Sequence, residues 1–555
     1  MDNNKGFFSN FKGDFFGGIT AGIVALPLAL AFGAQTDLGA IAGLYGAIAL
    51  GLLAALAGGT KTQISGPTAP MTVVSAVVIT KAIAAAGSLA EAMPVIVATF
   101  VLAGIIQVLL GILKFGKYIK YIPYPVVSGF MSGIGVIIII TQLFPFFGIK
   151  APSGGAFGTL RSVHQIPELI NFYSVGIAIA TIAIIYLVPR ITKKIPASLV
   201  ALILISGIAY FAFDAGLFTR INSDGPLPTG LPEVHFGFVK VFTDFDIIVK
   251  IFEYAITLAF LGAIDSLLTS VVADNMTKEK HDSNRELIGQ GIGNIGAGLI
   301  GGLPGAGATM RTVININSGG KNRLSGVFAS LLLTAILLGL GSLVGHVPNA
   351  VLAGILITVG IGIIDYKGIK HIKSIPVSDS VIMVIVLFLT VFVDLLVAVA
   401  VGMVLSSLLF MKKVSDFVEE KSKSESFDKI VADEKLNLPR NSTFDVKQVH
   451  VKNLKGPLFF GASAGFQEMM KGVPDVKVVI IRLEQVSYVD QSGLYAMEEV
   501  LLEMQNKGIH VVFTGLHGQV KSMFKEIDIV PDLIPEEDCF ETFNDCIDWL
   551  NDYLK

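Results

Sequence analysis

The strongest chemical signal in the sequence is a carboxylate set inside an apolar run. Leu261-Gly262-Ala263-Ile264-Asp265-Ser266-Leu267-Leu268-Thr269 places Asp265 four residues before Thr269, on one face of a helix. A charge at mid-membrane depth costs at least ~2.5–3.5 kcal/mol, so Asp265 needs a partner or a task. Its carboxylate, the Thr269 hydroxyl and nearby backbone carbonyls make an all-oxygen set suited to a hard cation. Na+ is the natural candidate, and a proton on Asp265 itself is the alternative. Arg311 is the competing partner, since a structural Asp265–Arg311 pair would neutralise both charges with no ion at all.

A second signal is a matched pair of helix breaks. Ser65-Gly66-Pro67-Thr68-Ala69-Pro70-Met71-Thr72 and Pro304-Gly305-Ala306-Gly307-Ala308-Thr309-Met310-Arg311-Thr312 each join small, helix-breaking residues to the start of an apolar run. Backbone at membrane depth cannot be left unpaired, so such stretches must line protein or a water-filled cavity. Two half-helices whose N-termini face each other present free N–H groups and positive dipole ends, which attract an anion. Thr68 and Thr309 stand where their hydroxyls and amides would face it. The plainer alternative is that Gly and Pro here only permit tight packing or kinks.

The elements that must hold these groups are membrane spans. Of 555 residues, 53% are hydrophobic and 15% charged, with a mean hydropathy of +0.71; soluble domains carry about 25% charged residues. Fourteen apolar runs long enough to span start near Asp14, Gly39, Thr68, Met93, Val126, Phe172, Pro196, Ile247, Leu287, Thr309, Leu324, Pro348, Val377 and Asp394. The run at Leu287 is glycine-rich and suits close packing more than lipid contact. With the N-terminus inside, the inner loops hold Lys61, Lys114, Lys117, Lys120, Arg190, Lys193, Lys194, Lys367 and Lys370, whereas Lys150, Arg161, Arg220 and Lys240 fall outside. That asymmetry predicts an even span count with both termini cytoplasmic. The two breaks occupy corresponding places in the first and second seven spans. Seven is odd, so the fold class expected is an α-helical polytopic membrane protein of 14 spans built as a 7+7 inverted repeat.

The first apolar run lacks a small-residue cleavage site and reads as span 1 rather than a signal peptide. The expected organisation is a cytoplasmic segment 1–13, a transport domain 14–411, a charged linker 412–442 and a tail 443–555. In the tail, Val446–Val451, Val476–Leu483 and His510–Thr514 have strand character, and Gly493–Lys507 and Gly518–Ile527 helical periodicity, which predicts a small α/β domain. Cys539 and Cys546 are read as reduced thiols. A net charge of −3 gives no case for nucleic acid. An enzyme is not expected: the glycines at 301–307 lack a following Gly-Lys-Ser/Thr, and no Cys/His cluster could hold a metal cofactor. A channel or a membrane-bound sensor is the rival from another class.

These residues resemble the SulP (sulfate permease) family of anion transporters over nearly the whole chain. The likeness rests on Leu26-Pro27-Leu28-Ala29-Leu30-Ala31-Phe32-Gly33, on Ser65 to Thr72 and on the segment ending in Arg311. The tail resembles a STAS domain, with Asp490-Gln491-Ser492-Gly493 at a strand-to-helix turn. Within the family the likeness is greatest to sodium-dependent bicarbonate transporters of cyanobacteria, on Ile264 to Asn275, Ser283 to Gly291 and Gly302 to Thr312. The resemblance implies Na+ ligands from Asp265, Thr269 and the backbone of Gly307, Ala308 and Thr309. It implies an anion, bicarbonate or sulfate, held between Thr68 and the Ala308-Thr309 half-helix, with Phe32 lining the pocket; Arg311, directly after the second break, could help hold that anion, neutralise Asp265 or snorkel toward water. No cofactor beyond the coupling Na+ is implied. The family fold is split into core and gate domains, sits in the inner membrane, is usually a homodimer and moves like an elevator. Gly66 departs from the pattern, where Glu is expected. Ser492 aligns with the serine phosphorylated in anti-sigma antagonists, which implies regulation, although Gln491 departs there; the plainer role for Ser492 is a helix cap.

Overall fold

The computed structural model describes residues 8–152, 155–192, 196–214, 216–221, 232–393, 395–427, 445–471, 473 and 475–554. Lys193, Lys194, Asp394 and the linker from 428 onward lie outside these. The chain divides into two units, Met1–Met403 and Val404–Lys555.

The first unit is helical. Its first seven principal helices are α1 (Phe11–Ala34), α2 (Ala40–Ala57), α3 (Ala69–Ala86), α4 (Leu89–Ile112), α5 (Tyr124–Thr141), α6 (Phe172–Ile191) and α7 (Ala197–Ala212). The second seven are α8 (Phe245–Thr277), α9 (Ser283–Leu299), α10 (Thr309–Asn317), α11 (Leu324–Val344), α12 (Asn349–Ile363), α13 (Val377–Phe392) and α14 (Leu395–Lys421), the last running on into the second unit. A helix therefore stands at each expected span. Among the described residues, eight helices are long and apolar enough to cross a membrane, and α7, α11, α12 and α13 are shorter apolar helices. α9 and α10 are in neither class: α9 carries polar residues and glycines in place of apolar ones, and α10 has only nine residues.

Packing sorts the helices into two groups. α9 lies against α2 and α4, α8 against α4, and α1 against α2, α10 and α11. In the other group α5 packs on α12 and α13, and α6 on α7 and α12. The glycines expected to serve packing in span 9 do so. A Cβ on Gly291 would stand 2.6 Å from the Gly104 carbonyl of α4, and one on Gly104 2.7 Å from the Gly291 carbonyl. Only glycine at both places lets the two backbones approach so closely.

The second unit is an α/β domain. Its strands are β3 (Lys423–Ser426), β4 (Val449–Lys455), β5 (Val478–Gln485), β6 (His510–Thr514) and β7 (Cys539–Phe540), paired in that order; β1 (Ser65–Gly66) and β2 (Ala306–Gly307) belong to the first unit. The β3–β4 pair is antiparallel and the rest are parallel. Helices α15 (Phe460–Lys471), α16 (Gln491–Asn506), α17 (Gly518–Glu526) and α18 (Phe543–Tyr553) follow the strands. Alternate residues of the central strands feed opposite cores, as the two-residue period requires. Val479, Ile481, Val511 and Phe513 pack with α16 residues Leu494, Met497 and Leu501. Val478, Ile480 and Val512 pack with α18 residues Phe543, Ile547 and Leu550. Both cysteines are free thiols, and burial pushes Cys546 up to about 12.

One expectation in the tail is corrected. The cap of α16 is Asp490, whose Oδ1 accepts from the Gly493 amide at 2.9 Å while Oδ2 accepts from the Phe460 amide at 3.0 Å. A carboxylate outcompetes a hydroxyl here because it also meets the positive end of the helix. Ser492 lies inside the first turn, exposed, and caps nothing.

Candidate anion and cation site

The two breaks meet. Ser65–Gly66 (β1) and Ala306–Gly307 (β2) form a two-stranded antiparallel pair, with Ser65 opposite Gly307 and Gly66 opposite Ala306. The Ala308 amide extends it, donating to the Ile64 carbonyl at 2.9 Å. The pairing satisfies backbone that would otherwise be orphaned, and it brings the N-termini of α3 and α10 side by side. Thr68 is the N-cap residue of α3 and Ala308 that of α10, and neither cap is closed by a side chain. The first-turn amides of both helices have no intrahelical acceptor and carry the positive dipole ends.

Side chains around the breaks are left with unused donors. The Thr68 hydroxyl is buried and makes no hydrogen bond of acceptable geometry, although the Asp265 carboxylate is near it. Arg311 is 1% exposed. Its Nη2 donates to the Pro67 carbonyl at 3.0 Å, which ties the start of α10 to the first break. Its Nε and Nη1 are buried without partners. Asp265 and Arg311 feel each other's charge, yet they form no ion pair within 4.0 Å among the salt bridges of the described residues. The closed Asp265–Arg311 pair weighed from the sequence is therefore not formed in this structure.

The oxygen set gathers on α8. The Thr269 hydroxyl donates to the Gly307 carbonyl at 2.9 Å and lies 2.7 Å from the Thr309 hydroxyl. Asp265 stands one turn earlier and is the sole polar residue lining an apolar cavity among Pro70, Val126, Phe130, Leu261, Leu268 and Val399. The cavity lies where α3 and α8 face α5 and α14, between the two helix groups. Phe32 is 4% exposed on α1 and does not line this cavity. The structure thus gathers Thr269, Gly307, Ala308 and Thr309, with Thr68 and Arg311 across the strand pair.

Residues not singled out from the sequence hold the breaks in place. The Asn294 side chain of α9 accepts from the Gly305 amide at 2.8 Å, donates to its carbonyl at 3.1 Å, and bonds Gln107 at 2.8 Å. The Ser266 hydroxyl accepts from the Gly307 amide at 3.1 Å. Glu286 and Gln290, also on α9, bind the first break. Glu286, Gln290 and Asn294 recur every four residues, a polar stripe on one helix face that could have been found in the sequence.

Comparisons with known proteins agree with this architecture. Residues 11–386 match the sulfate permease family and residues 443–546 the STAS domain. The bicarbonate transporter BicA of Picosynechococcus sp. is 40% identical over 540 residues, covering 96% of this chain and 94% of that protein. YvdB of Bacillus subtilis, whose name assigns it to sulfate transport, is 30% identical with 94% of each chain covered. The solved transmembrane domain of a cyanobacterial BicA superposes with a TM-score of 0.65 at 44% identity, over 70% of this chain and 98% of that one. The chain belongs to the sulfate permease family, and is a multi-pass membrane transporter, rather than an enzyme, followed by a STAS domain.

Proposed function

We propose that this protein imports a small inorganic anion together with Na+, bicarbonate being the first choice and sulfate the second. The observation that carries the reading is the juxtaposition at the breaks. Buried, unused donors of Thr68 and Arg311 flank two helix N-termini, and an oxygen set of Thr269, Gly307 and Thr309 lies directly behind them, one turn from Asp265. Anion and cation would then sit close enough to stabilise each other. Import of one negative charge against 100 mV costs about 2.3 kcal/mol, which a co-transported Na+ cancels. The 40% identity to a bicarbonate transporter supports bicarbonate; the 30% identity to YvdB supports the sulfate alternative. A proton carried on Asp265 is the alternative coupling ion.

The same reading takes fourteen spans in the inner membrane, with the N-terminus and STAS domain cytoplasmic, and a homodimer. Uptake of radiolabelled bicarbonate, sulfate and dicarboxylates into vesicles, with and without Na+ and with an imposed pH gradient, tests it. Saturable bicarbonate uptake that needs Na+ is expected. Sulfate uptake driven by the pH gradient alone would replace both the anion and the coupling ion.

A further inference from the structure

Glu286 is a carboxylate that the transport reading does not use. It is 1% exposed, on α9, and it faces the non-helical segment before α3. Its Oε2 accepts from the amides of Gly59 at 2.8 Å and Thr60 at 2.7 Å. Its Oε1 accepts from the side-chain amides of Gln63 and Gln290, each at 2.7 Å. All four partners are N–H donors, so the group serves as an acceptor only. Charge-assisted bonds of this kind are roughly twice as strong as neutral ones. Arg323 supplies compensating charge nearby while closing the end of α2, donating to the Leu56 carbonyl at 2.7 Å.

From this hub, hydrogen bonds run to the first break and to α8. Gln290 donates to the Ser65 hydroxyl of β1 at 2.6 Å. The Gln63 side-chain Oε1 accepts from the Ser270 hydroxyl at 3.0 Å, and the Ser270 hydroxyl lies 2.7 Å from that of Thr60. The Gln63 amide also packs against Gly307, where a Cβ would strike it. Ser270 directly follows Thr269. Neighbouring residues of one helix therefore grip the two breaks: Thr269 holds Gly307 and Thr309, and Ser270 holds Thr60 and Gln63.

We propose that Glu286 is a positioning residue, whose carboxylate fixes segment 59–66 so that the Thr68 end of α3 is aimed at the anion, with Ser270 linking that segment to the cation-binding turn of α8. The assignment rests on the Na+-coupled reading for the word cation; the aiming of Thr68 does not. Glu286→Gln keeps the size but turns an NH2 group toward N–H donors, so segment 59–66 loosens while the Thr269–Gly307–Thr309 set is untouched. Ser270→Ala removes the link, together with a bond to the Ser266 carbonyl within α8.

The test uses the full chain in vesicles, with labelled bicarbonate uptake, 22Na+ binding, and hydrogen exchange of the purified protein. Glu286→Gln should raise the bicarbonate KM about tenfold or more, leave Na+ affinity within about twofold, and speed exchange at 59–66 but not at 305–309. Ser270→Ala should raise the KM about threefold and make anion affinity less responsive to Na+; it decides the matter if Glu286→Gln fails to fold. An unchanged KM in a folded variant, or equal loss of anion and Na+ affinity, would overturn the proposal. Should the unmodified protein transport bicarbonate without Na+, the coupling reading fails, whereas the KM and exchange at 59–66 still judge Glu286.

Discussion

In the segment leading into the first break the amides of Gly59 and Thr60 end on one carboxylate, Glu286. At the second, Gly305 and Gly307 are held by the neutral side chains of Asn294, Ser266 and Thr269. The first break is thus anchored mainly from α9 and the second from α8 and α9 together. Asp265, the carboxylate beside the second break, makes no hydrogen bond to its backbone among the described residues, and interacts with Thr68 and Arg311 instead. The contrast teaches that near-mirror sequence segments need not share their chemistry. One break is fixed by a carboxylate that accepts from the backbone amides leading into it, and the other sits beside a carboxylate that forms no ion pair within 4.0 Å with the nearby Arg311.

The largest expected effect follows from that carboxylate. Asp265→Asn keeps size and hydrogen bonding but removes the negative charge. Loss of a buried charged partner costs about 3 kcal/mol or more, roughly a hundredfold in Na+ affinity, and anion uptake should fall with it. Uptake over a grid of Na+ and anion concentrations measures this. If Asp265 served only to balance Arg311, the double change Asp265→Asn with Arg311→Gln would restore Na+-dependent transport, and that rescue would dissolve the contrast between the breaks.

Removing Asn294 comes next. Asn294→Ala strips the partner from both the N–H and the C=O of Gly305, each a buried group costing about 1–3 kcal/mol when left unsatisfied. Thermal unfolding in detergent should drop by several degrees, with exchange rising at 302–309 and not at 59–66. Equal loosening of both segments would mean that the breaks form one rigid body instead of two separately anchored ones.

How much of this was legible in the sequence depended on locality. Asp265 and Thr269 announce themselves because a charge in an apolar run has few explanations, and the breaks because Gly and Pro interrupt a pattern otherwise continuous. That the breaks pair follows from backbone satisfaction. The anchors did not emerge, since Glu286 bonds amides more than two hundred residues away in sequence, and only the four-residue stripe through Gln290 to Asn294 hints at a buried face. In the tail the central strands were readable from their apolar runs, while β3 and β7 were not, being short edge strands with little pattern of their own. Ser492 was misplaced as a cap because the helix starts earlier, with Asp490 as its cap, which leaves Ser492 inside the first turn.

Hydroxyl removals separate the two ends of the site. Thr68 has no partner at hydrogen-bond geometry, so Thr68→Val costs little stability and takes one donor from the anion. A rise in bicarbonate KM of about two- to tenfold is expected, the equivalent of ~0.5–1.5 kcal/mol, with Na+ activation unchanged. Thr309 lies on both sides of the comparison, at the first turn of α10 and 2.7 Å from Thr269. Thr309→Val should therefore shift the anion KM and the Na+ activation curve together. Purely anionic effects at both threonines would detach the second break from the cation.

The smallest effect belongs to Thr269, and it sharpens the contrast most. Its hydroxyl is a neutral group that donates to the Gly307 carbonyl at 2.9 Å. Na+ binding would turn that oxygen from a donor's atom into a ligand, leaving the Gly307 carbonyl to the ion as well. Thr269→Val removes one neutral ligand and keeps the charge of Asp265, so Na+ affinity should fall only a fewfold, well short of the loss in Asp265→Asn. Anion KM at saturating Na+ should stay near that of the unmodified protein, because the first break and Thr68 are held from α9 and through Ser270. A Na+ titration of uptake at fixed bicarbonate separates these outcomes. If Thr269→Val matched Asp265→Asn, the carbonyl-hydroxyl set would outweigh the carboxylate. The second break itself, rather than the carboxylate beside it, would then be the cation's principal anchor.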